Sequence, residues 1–208
     1  MSEWDQNAWT KDDLVGGHPV LDFVNTVAGR SKERSVERLR DYGAFLNWAV
    51  AAKVLFPGEA AGLRHLGLND PAGAGAALAA VVAFREALHA CLMAEQAGEI
   101  WPEPERRQVM LVLRDALLDA RLEKGTQSYA WSAPVIETDM ALPVKRIALA
   151  TEDLLRSDDL PRMRNCDRCS WLFIDRGRGR ARRWCSMAAC GSRAKSARYY
   201  KRQKARHA

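Results

Sequence analysis

The spacing Cys166-x2-Cys169-x15-Cys185-x4-Cys190 constrains the fold of this 208-residue chain more than any other feature. A Cys-x-x-Cys pair lets two thiolates reach one ion from a tight knuckle, and a second pair further along completes a tetrahedron. The gap between Cys185 and Cys190 sets their sulfurs slightly more than a helical turn apart. That suits a loop-to-helix junction, with Cys185 before the helix and Cys190 in or near its first turn. Four thiolates describe a closed structural Zn2+ site that leaves no position for a catalytic water. The alternatives are two disulfides, an iron–sulfur cluster or a thioredoxin-like redox pair. A cytoplasmic setting opposes disulfides, and no βα unit surrounds the Cys-x-x-Cys as a redox pair requires. The metal also has a folding role. From Arg164 onward the large apolar residues are Trp171, Leu172, Phe173, Ile174, Trp184, Met187, Tyr199 and Tyr200, too few for an independent core. Structural zinc contributes roughly 10–16 kcal/mol of apparent binding energy to folding. Trp171–Ile174 is expected to form a short strand packed by Trp184.

Charge divides the chain at the same place. Residues 166–208 carry 13 Lys and Arg against Asp167 and Asp175, a balance of +11, whereas residues 1–165 balance at −5. A basic segment joined to an acidic body points to a polyanionic partner. The cations fall in two sets. Arg178, Arg180, Arg182 and Arg183 lie on a Gly-rich arm inside the cysteine module. Arg193, Lys195, Arg198, Lys201, Arg202 and Lys204 surround a candidate helix over 191–206. Tyr199 and Tyr200 interrupt these charges, where they can stack on or hydrogen-bond to a sugar-phosphate chain. Arg193, next to the last cysteine, has two readings. One is a rigid guanidinium that reads a base edge; the other is a structural donor within the module.

The body reads as helical. Asp41 is a plausible cap for a helix whose face is Tyr42, Phe45, Leu46, Ala49 and Val50. The Pro/Gly/Ala stretch 71–76 is expected to punctuate. Beyond it Leu78, Val81, Phe84, Leu88, Cys91 and Leu92 form an apolar stripe ending near Gly98. Pro102-Glu103-Pro104-Glu105 opens another helix, a hairpin turns near Gly125 at Thr126 and Gln127, and a last helix opens at Pro143. These stripes are expected to close a core without the basic tail. No stretch reaches the roughly 20 uninterrupted apolar residues of a membrane span, and Met1–Asp5 is polar, unlike a signal peptide. The expectation is a cytoplasmic protein without a membrane partner. The fold class is mainly α (α+β through a short β-hairpin), with a helical N-terminal domain over 1–160 and a small C-terminal zinc finger over 161–208.

No catalytic constellation emerges. His18, His65, His89 and His207 stand in no nucleophile elbow or metal-ligand spacing. Gly16-Gly17-His18 lacks the rest of a phosphate loop, and Cys91 reads as an inert core thiol. The segment Leu21-Asp22-Phe23-Val24-Asn25-Thr26 is unusual, because Asp22, Asn25 and Thr26 sit among apolar residues. Capping and turn hydrogen bonds explain them; a buried polar pocket for a small ligand is the sharper alternative.

The string Arg183-Trp184-Cys185-Ser186-Met187-Ala188-Ala189-Cys190-Gly191-Ser192-Arg193-Ala194-Lys195 closely resembles the CGNR-type zinc finger of bacteria, and Leu172–Asp175 resembles the strand upstream of it. The body, with Leu21–Thr26 near its start, is similar to the ABATE domain that usually precedes that finger. Ser192 stands where the signature has Asn, and Cys166-x2-Cys169 is tighter than the family spacing. The resemblance implies a stress-responsive transcription regulator that binds DNA through the finger, with one structural zinc and an unidentified effector of the N-terminal domain. An RNA- or ribosome-binding zinc protein is the alternative, although no RNP-type aromatic signature or Gly-x-x-Gly clamp is present. An enzyme with its site in the body, and a redox sensor that releases zinc, are further readings.

Overall fold

The structure, a computed structural model, describes residues 9–29, 31–125, 128–136 and 139–206, without the side chains of Lys201 and Arg206. The readings made above of Met1–Asp5, Thr126, Gln127 and His207 lie outside the described residues. In chain order the elements are α1 (Pro19–Val24), β1 (Val27–Ala28), β2 (Val36–Glu37), α2 (Tyr42–Ala51), α3 (Pro57–Asn69), α4 (Pro71–Ala97), α5 (Glu103–Asp119), β3 (Arg121–Lys124), β4 (Tyr129–Ser132), α6 (Leu142–Arg156), β5 (Met163–Asn165), β6 (Leu172–Ile174) and α7 (Ser192–Arg206). The strands form three antiparallel pairs, β1–β2, β3–β4 and β5–β6. The mainly α class follows, and the hairpin expected at Gly125 is β3–β4, with Arg121 opposite Ser132 and Lys124 opposite Tyr129.

The helices start where their caps put them. Asp41 accepts from the Ala44 N–H at 2.7 Å and opens α2. The 71–76 stretch does not punctuate; it forms the first turns of α4. Asp70 accepts from the Gly73 N–H at 2.9 Å, and Pro71 takes the first helical position, where its missing N–H leaves nothing unpaired. α4 ends on Gly98, whose φ of 72° is the left-handed conformation a helix C-cap needs. α4 is also long and apolar enough, by length and composition, to cross a membrane, contrary to the reading of the sequence. Here Val81, Phe84, Leu88, Cys91 and Leu92 are buried in the core instead, and α4 packs on α1, α2, α3 and α5. Its Arg85, only 1% exposed, donates to Glu37, to Glu86 and to the Thr26 hydroxyl. Phe23, Phe45, Trp48 and Phe84 centre the body, with Phe23 5.4 Å from Trp48 and 5.9 Å from Phe84 between ring centroids.

The cysteine module is not a separate globule. Side chains alternate across a strand, and β6 uses both faces. Leu172 and Ile174 enter the body core with Met163 of β5, while Trp171 and Phe173 join the four cysteines, Ala28, Val15 and Val36. The Asn25 side chain pairs with both backbone polar groups of Leu172, donating to its carbonyl at 2.8 Å and accepting from its N–H at 2.9 Å. The Trp171 indole donates to the Val27 carbonyl at 2.9 Å, and the Ile174 N–H donates to the Gly16 carbonyl at 2.8 Å. The core of the body thus includes a strand of the tail beside the helical stripes.

A chain ending at Arg164 loses Leu172 and Ile174 from the core and leaves the Asn25 amide unpaired. Each buried aliphatic side chain is worth roughly 2–5 kcal/mol against a total stability of about 5–15. Thermal unfolding followed by far-ultraviolet circular dichroism should show residues 1–164 melting far below the full chain or without a cooperative transition. Equal midpoints would mean that β6 is dispensable to the body.

Candidate metal centre and nucleic-acid interface

β5 leads into the first knuckle and β6 leads out of it, so the hairpin holds Cys166 and Cys169 at its turn. The Cys166 N–H donates to the Trp171 carbonyl at 2.9 Å, and the Asp167 N–H to the Arg183 carbonyl at 2.9 Å. The second knuckle is a π-helical turn, Met187–Gly191, capped by Ser186 and running straight into α7. This carries Cys190 at the root of the basic helix, the loop-to-helix junction that the spacing suggested. All four sulfurs lie within 4.8 Å of one another. The Cys169–Cys185, Cys185–Cys190 and Cys190–Cys169 separations are each 3.7 Å. Zn–S bonds of about 2.3 Å give a regular tetrahedron edges of about 3.8 Å, so the donor set fits one zinc ion. The same separations are far beyond the roughly 2.05 Å of a disulfide. The four cysteines are at most 4% exposed, which suits a structural site.

The sulfurs also have donors. The Cys185 N–H hydrogen-bonds the Cys166 sulfur, and the Trp171 N–H hydrogen-bonds that of Cys169. Arg193 Nη2 donates to the Cys190 sulfur at 3.3 Å.

The basic residues sort by what they touch. Arg182 donates to the Cys185 carbonyl at 2.9 Å and lies 4.3 Å above the Phe173 ring. Arg183 pairs with Asp167 at 2.6 Å and lies 5.3 Å from the Trp184 ring centroid. These two hold the arm to the zinc knot, and Arg193 faces a sulfur. Arg178, Arg180, Lys195, Arg198, Arg202 and Lys204 are exposed and form no ion pair among the described residues. The side chain of Lys201 lies outside the described residues. Arg180 and Arg198 both line a cleft of about 580 Å3, with Trp184 and Met187. Tyr199 and Tyr200 stand exposed on α7, with ring centroids 5.7 Å apart.

Asn25 bonds the zinc module directly, whereas Asp22 and Thr26 bond groups of the body. Asn25 is spent on Leu172, and the Thr26 hydroxyl donates to the Phe23 carbonyl at 2.8 Å while accepting from Arg85 at 3.1 Å. The Asp22 carboxylate accepts the Gly16 N–H at 2.8 Å. A Cβ on Gly16 would sit 2.8 Å from Leu21 and 2.9 Å from Asp22, so only glycine fits there. The Asp22 and Thr26 bonds are the capping and turn interactions expected of such side chains. Burial pushes the Asp22 carboxyl up to about 7, against the opposing pull of the Gly16 N–H.

Several contacts of this seam left no local trace in the sequence. His89 on α4 donates from Nε2 to the Ser170 carbonyl at 3.3 Å, and burial, with the Arg34 charge, pushes its pKa down to about 4. Lys32 reaches the Asn165 side chain and the Cys166 carbonyl. Arg176 joins Asp159 and the Gly17 carbonyl. Cys91 is fully buried, and burial pushes its thiol up to about 11, which makes it inert.

Residues 17–158 match the family model ABATE, described as "putative stress-induced transcription regulator", and residues 162–203 match the model of the CGNR zinc finger. No curated protein matches the chain.

Two predictions follow from this geometry. Metal analysis of purified protein should give one zinc per chain. Cys166→Ser, Cys169→Ser, Cys185→Ser and Cys190→Ser should each lose it, and Cys91→Ser should retain it. The second concerns Asp22, whose pKa lies above the ordinary 3.8 in the folded chain. The folded state then holds the proton more tightly than the unfolded state. The resulting stability is complete below about pH 4 and is lost as pH rises through about 7. Asp22→Asn removes this titration, so its stability relative to wild type should rise by on the order of 3 kcal/mol between pH 5 and pH 8. Urea unfolding at the two pH values measures the difference.

Proposed function

We propose, from the premise that the chain belongs to the ABATE family and carries a CGNR zinc finger, that this regulator binds DNA through its basic tail. The observation that carries the reading is the set of six uncommitted cations, Arg178, Arg180, Lys195, Arg198, Arg202 and Lys204, on a module pinned by its metal. A solvated charge run has no fixed geometry. Here the arm leaves from β6 and α7 leaves from Cys190, so both sets hang from one rigid knot and flank one cleft. Phosphate contacts require cations in place at the moment of encounter, and their release of counterions drives binding. Arg182 and Arg183 support this surface from within rather than contact phosphate.

On this reading the protein is a binding protein and not an enzyme, since four thiolates fill every position on the metal. It acts in the cytoplasm, in response to stress conditions sensed by the body. A second reading is recognition of single-stranded nucleic acid, including RNA. The exposed Tyr199–Tyr200 pair favours it, because bases stack on such rings without regard to sequence.

Titration with duplex DNA, single-stranded DNA and RNA across a salt series separates these readings. Six phosphate contacts predict that log K for duplex falls with log[salt] at a slope of about −5. Arg198→Ala with Arg202→Ala should flatten that slope by about 2 and weaken all duplex sequences alike. Stronger binding to single strands, lost in Tyr199→Ala with Tyr200→Ala, would favour the second reading. A folded, zinc-loaded chain that binds no nucleic acid at low salt ends both.

A further inference from the structure

A zinc ion held by four thiolates carries a net charge of −2, and this one is buried. A buried charge is costly unless an opposite charge or hydrogen bonds compensate it. The two backbone N–H donors at Cys166 and Cys169 bring only partial charges. Full positive charges also approach the centre: Arg182 rests on the Cys185 carbonyl at 2.9 Å, and two more come one from each part of the chain. Arg193, in the first turn of α7, directs Nη2 at the Cys190 sulfur at 3.3 Å. Lys32, on the loop between β1 and β2, places its ammonium on the Cys166 carbonyl and the Asn165 side chain.

We propose that Arg193 and Lys32 are counter-charges of the zinc centre, and that Arg193 is a positioning residue for the Cys190 thiolate rather than a nucleic-acid contact. The geometry separates Arg193 from its neighbours. Its residue is partly buried, whereas Lys195, Arg198, Arg202 and Lys204 on the same helix are exposed. A guanidinium spent on a sulfur is not available to a base edge, and this decides between the two sequence readings of Arg193. The arrangement also assigns a job to Lys32. The body contributes a cation to the knuckle, so zinc affinity depends on a residue far outside the metal-binding segment. Arg193 acts on a sulfur directly, and Lys32 acts through a carbonyl from an exposed position. The Lys32 contribution is therefore the smaller of the two and the more easily screened by salt.

The experiment uses the full chain and three measurements: zinc affinity by competition with a chelator, the absorption spectrum of the cobalt-substituted protein, and the salt slope of duplex binding in excess zinc. A cation at a thiolate lowers the energy of its lone pair, so removing the cation moves thiolate-to-cobalt charge transfer to lower energy. Arg193→Met should weaken zinc binding about tenfold or more, the range for residues that orient a metal's ligands. It should red-shift the cobalt band and leave the salt slope unchanged. Arg193→Lys keeps the charge without the fork and should fall between wild type and Arg193→Met. Arg198→Met, on the same helix, should leave affinity and spectrum alone and flatten the slope by about 1. Lys32→Met should weaken zinc binding a few-fold at low salt and have no effect in molar salt. Wild-type zinc affinity and band position in Arg193→Met, or a slope flattened by about 1, would overturn the assignment of Arg193. An unchanged zinc affinity of Lys32→Met at low salt would overturn that of Lys32. Should Arg193→Met not fold, the band position of Arg193→Lys decides alone: a wild-type spectrum overturns the proposal. The zinc affinities and cobalt spectra do not depend on which nucleic acid the tail binds; the slopes rest on the proposed duplex binding.

Discussion

Asn25 and Leu172 are 147 residues apart in the chain, yet the amide of one satisfies both backbone polar groups of the other. An isolated short strand such as β6 cannot bury its backbone without partners, because each unpaired polar group costs roughly 1–3 kcal/mol. β5 takes one edge of β6. On the other, Asn25 and the Gly16 carbonyl complete the pairing. With its hydrogen bonds met on both sides, β6 can be apolar on both faces, and it is shared by two cores. One face closes the helical body and the other forms a wall of the cysteine cluster. The zinc centre, the arm after Ile174 and the start of α7 all take their position from this strand.

The seam explains which parts of the fold were legible beforehand. Helix α2 has a cap and a stripe, and α5 and α6 each have a proline in the first turn and a stripe, so local patterns suffice to find them. The metal centre was legible for a similar reason, since four ligands of one chemistry must recur at spacings that a knuckle permits. The role of Asn25 was not legible. An Asn after a short helix reads as a cap, and its partner is known only once the chain has folded back. Lys32 and His89 fall under the same rule, because each ends on a backbone carbonyl, which every residue possesses. The stretch 71–76 misled in the opposite sense. Gly and Pro there look like a break, but Pro71 follows a capping Asp70, and the remaining residues are small enough for the first turns of a long helix.

The tail's charge of +11 overstates what it presents to a partner. Asp167 and Asp159 take up Arg183 and Arg176, the Cys185 carbonyl and the Phe173 ring take up Arg182, and a sulfur takes up Arg193. Composition counts all of these as available for a polyanion. Geometry divides them into cations that build the knot and cations that the knot displays. The division follows distance from the metal: those within reach of the knuckle backbone are consumed by it, and those beyond Lys195 on α7 or on the Gly-rich part of the arm are not.

A regulator requires that one part of the molecule bias another, and coupling requires contacts that differ between two states. The polar contacts that join body to tail include Asn25 to Leu172, Val27 to Trp171, His89 to Ser170, Gly16 to Ile174, Arg176 to Asp159 and Gly17, and Lys32 to Cys166. Two of them lie at the base of the basic arm. The Gly16–Gly17 turn accepts from Ile174 and from Arg176, and it is itself held from behind by the Asp22 carboxylate. A change in the body that moves this turn must move the first residues of the arm, because the turn's carbonyls are among the groups that hold them. A change that leaves the turn in place reaches the zinc through Lys32, through His89 and Val27 at the knuckle, or through the packing of β6. The turn is therefore a direct hold of the body on the base of the arm.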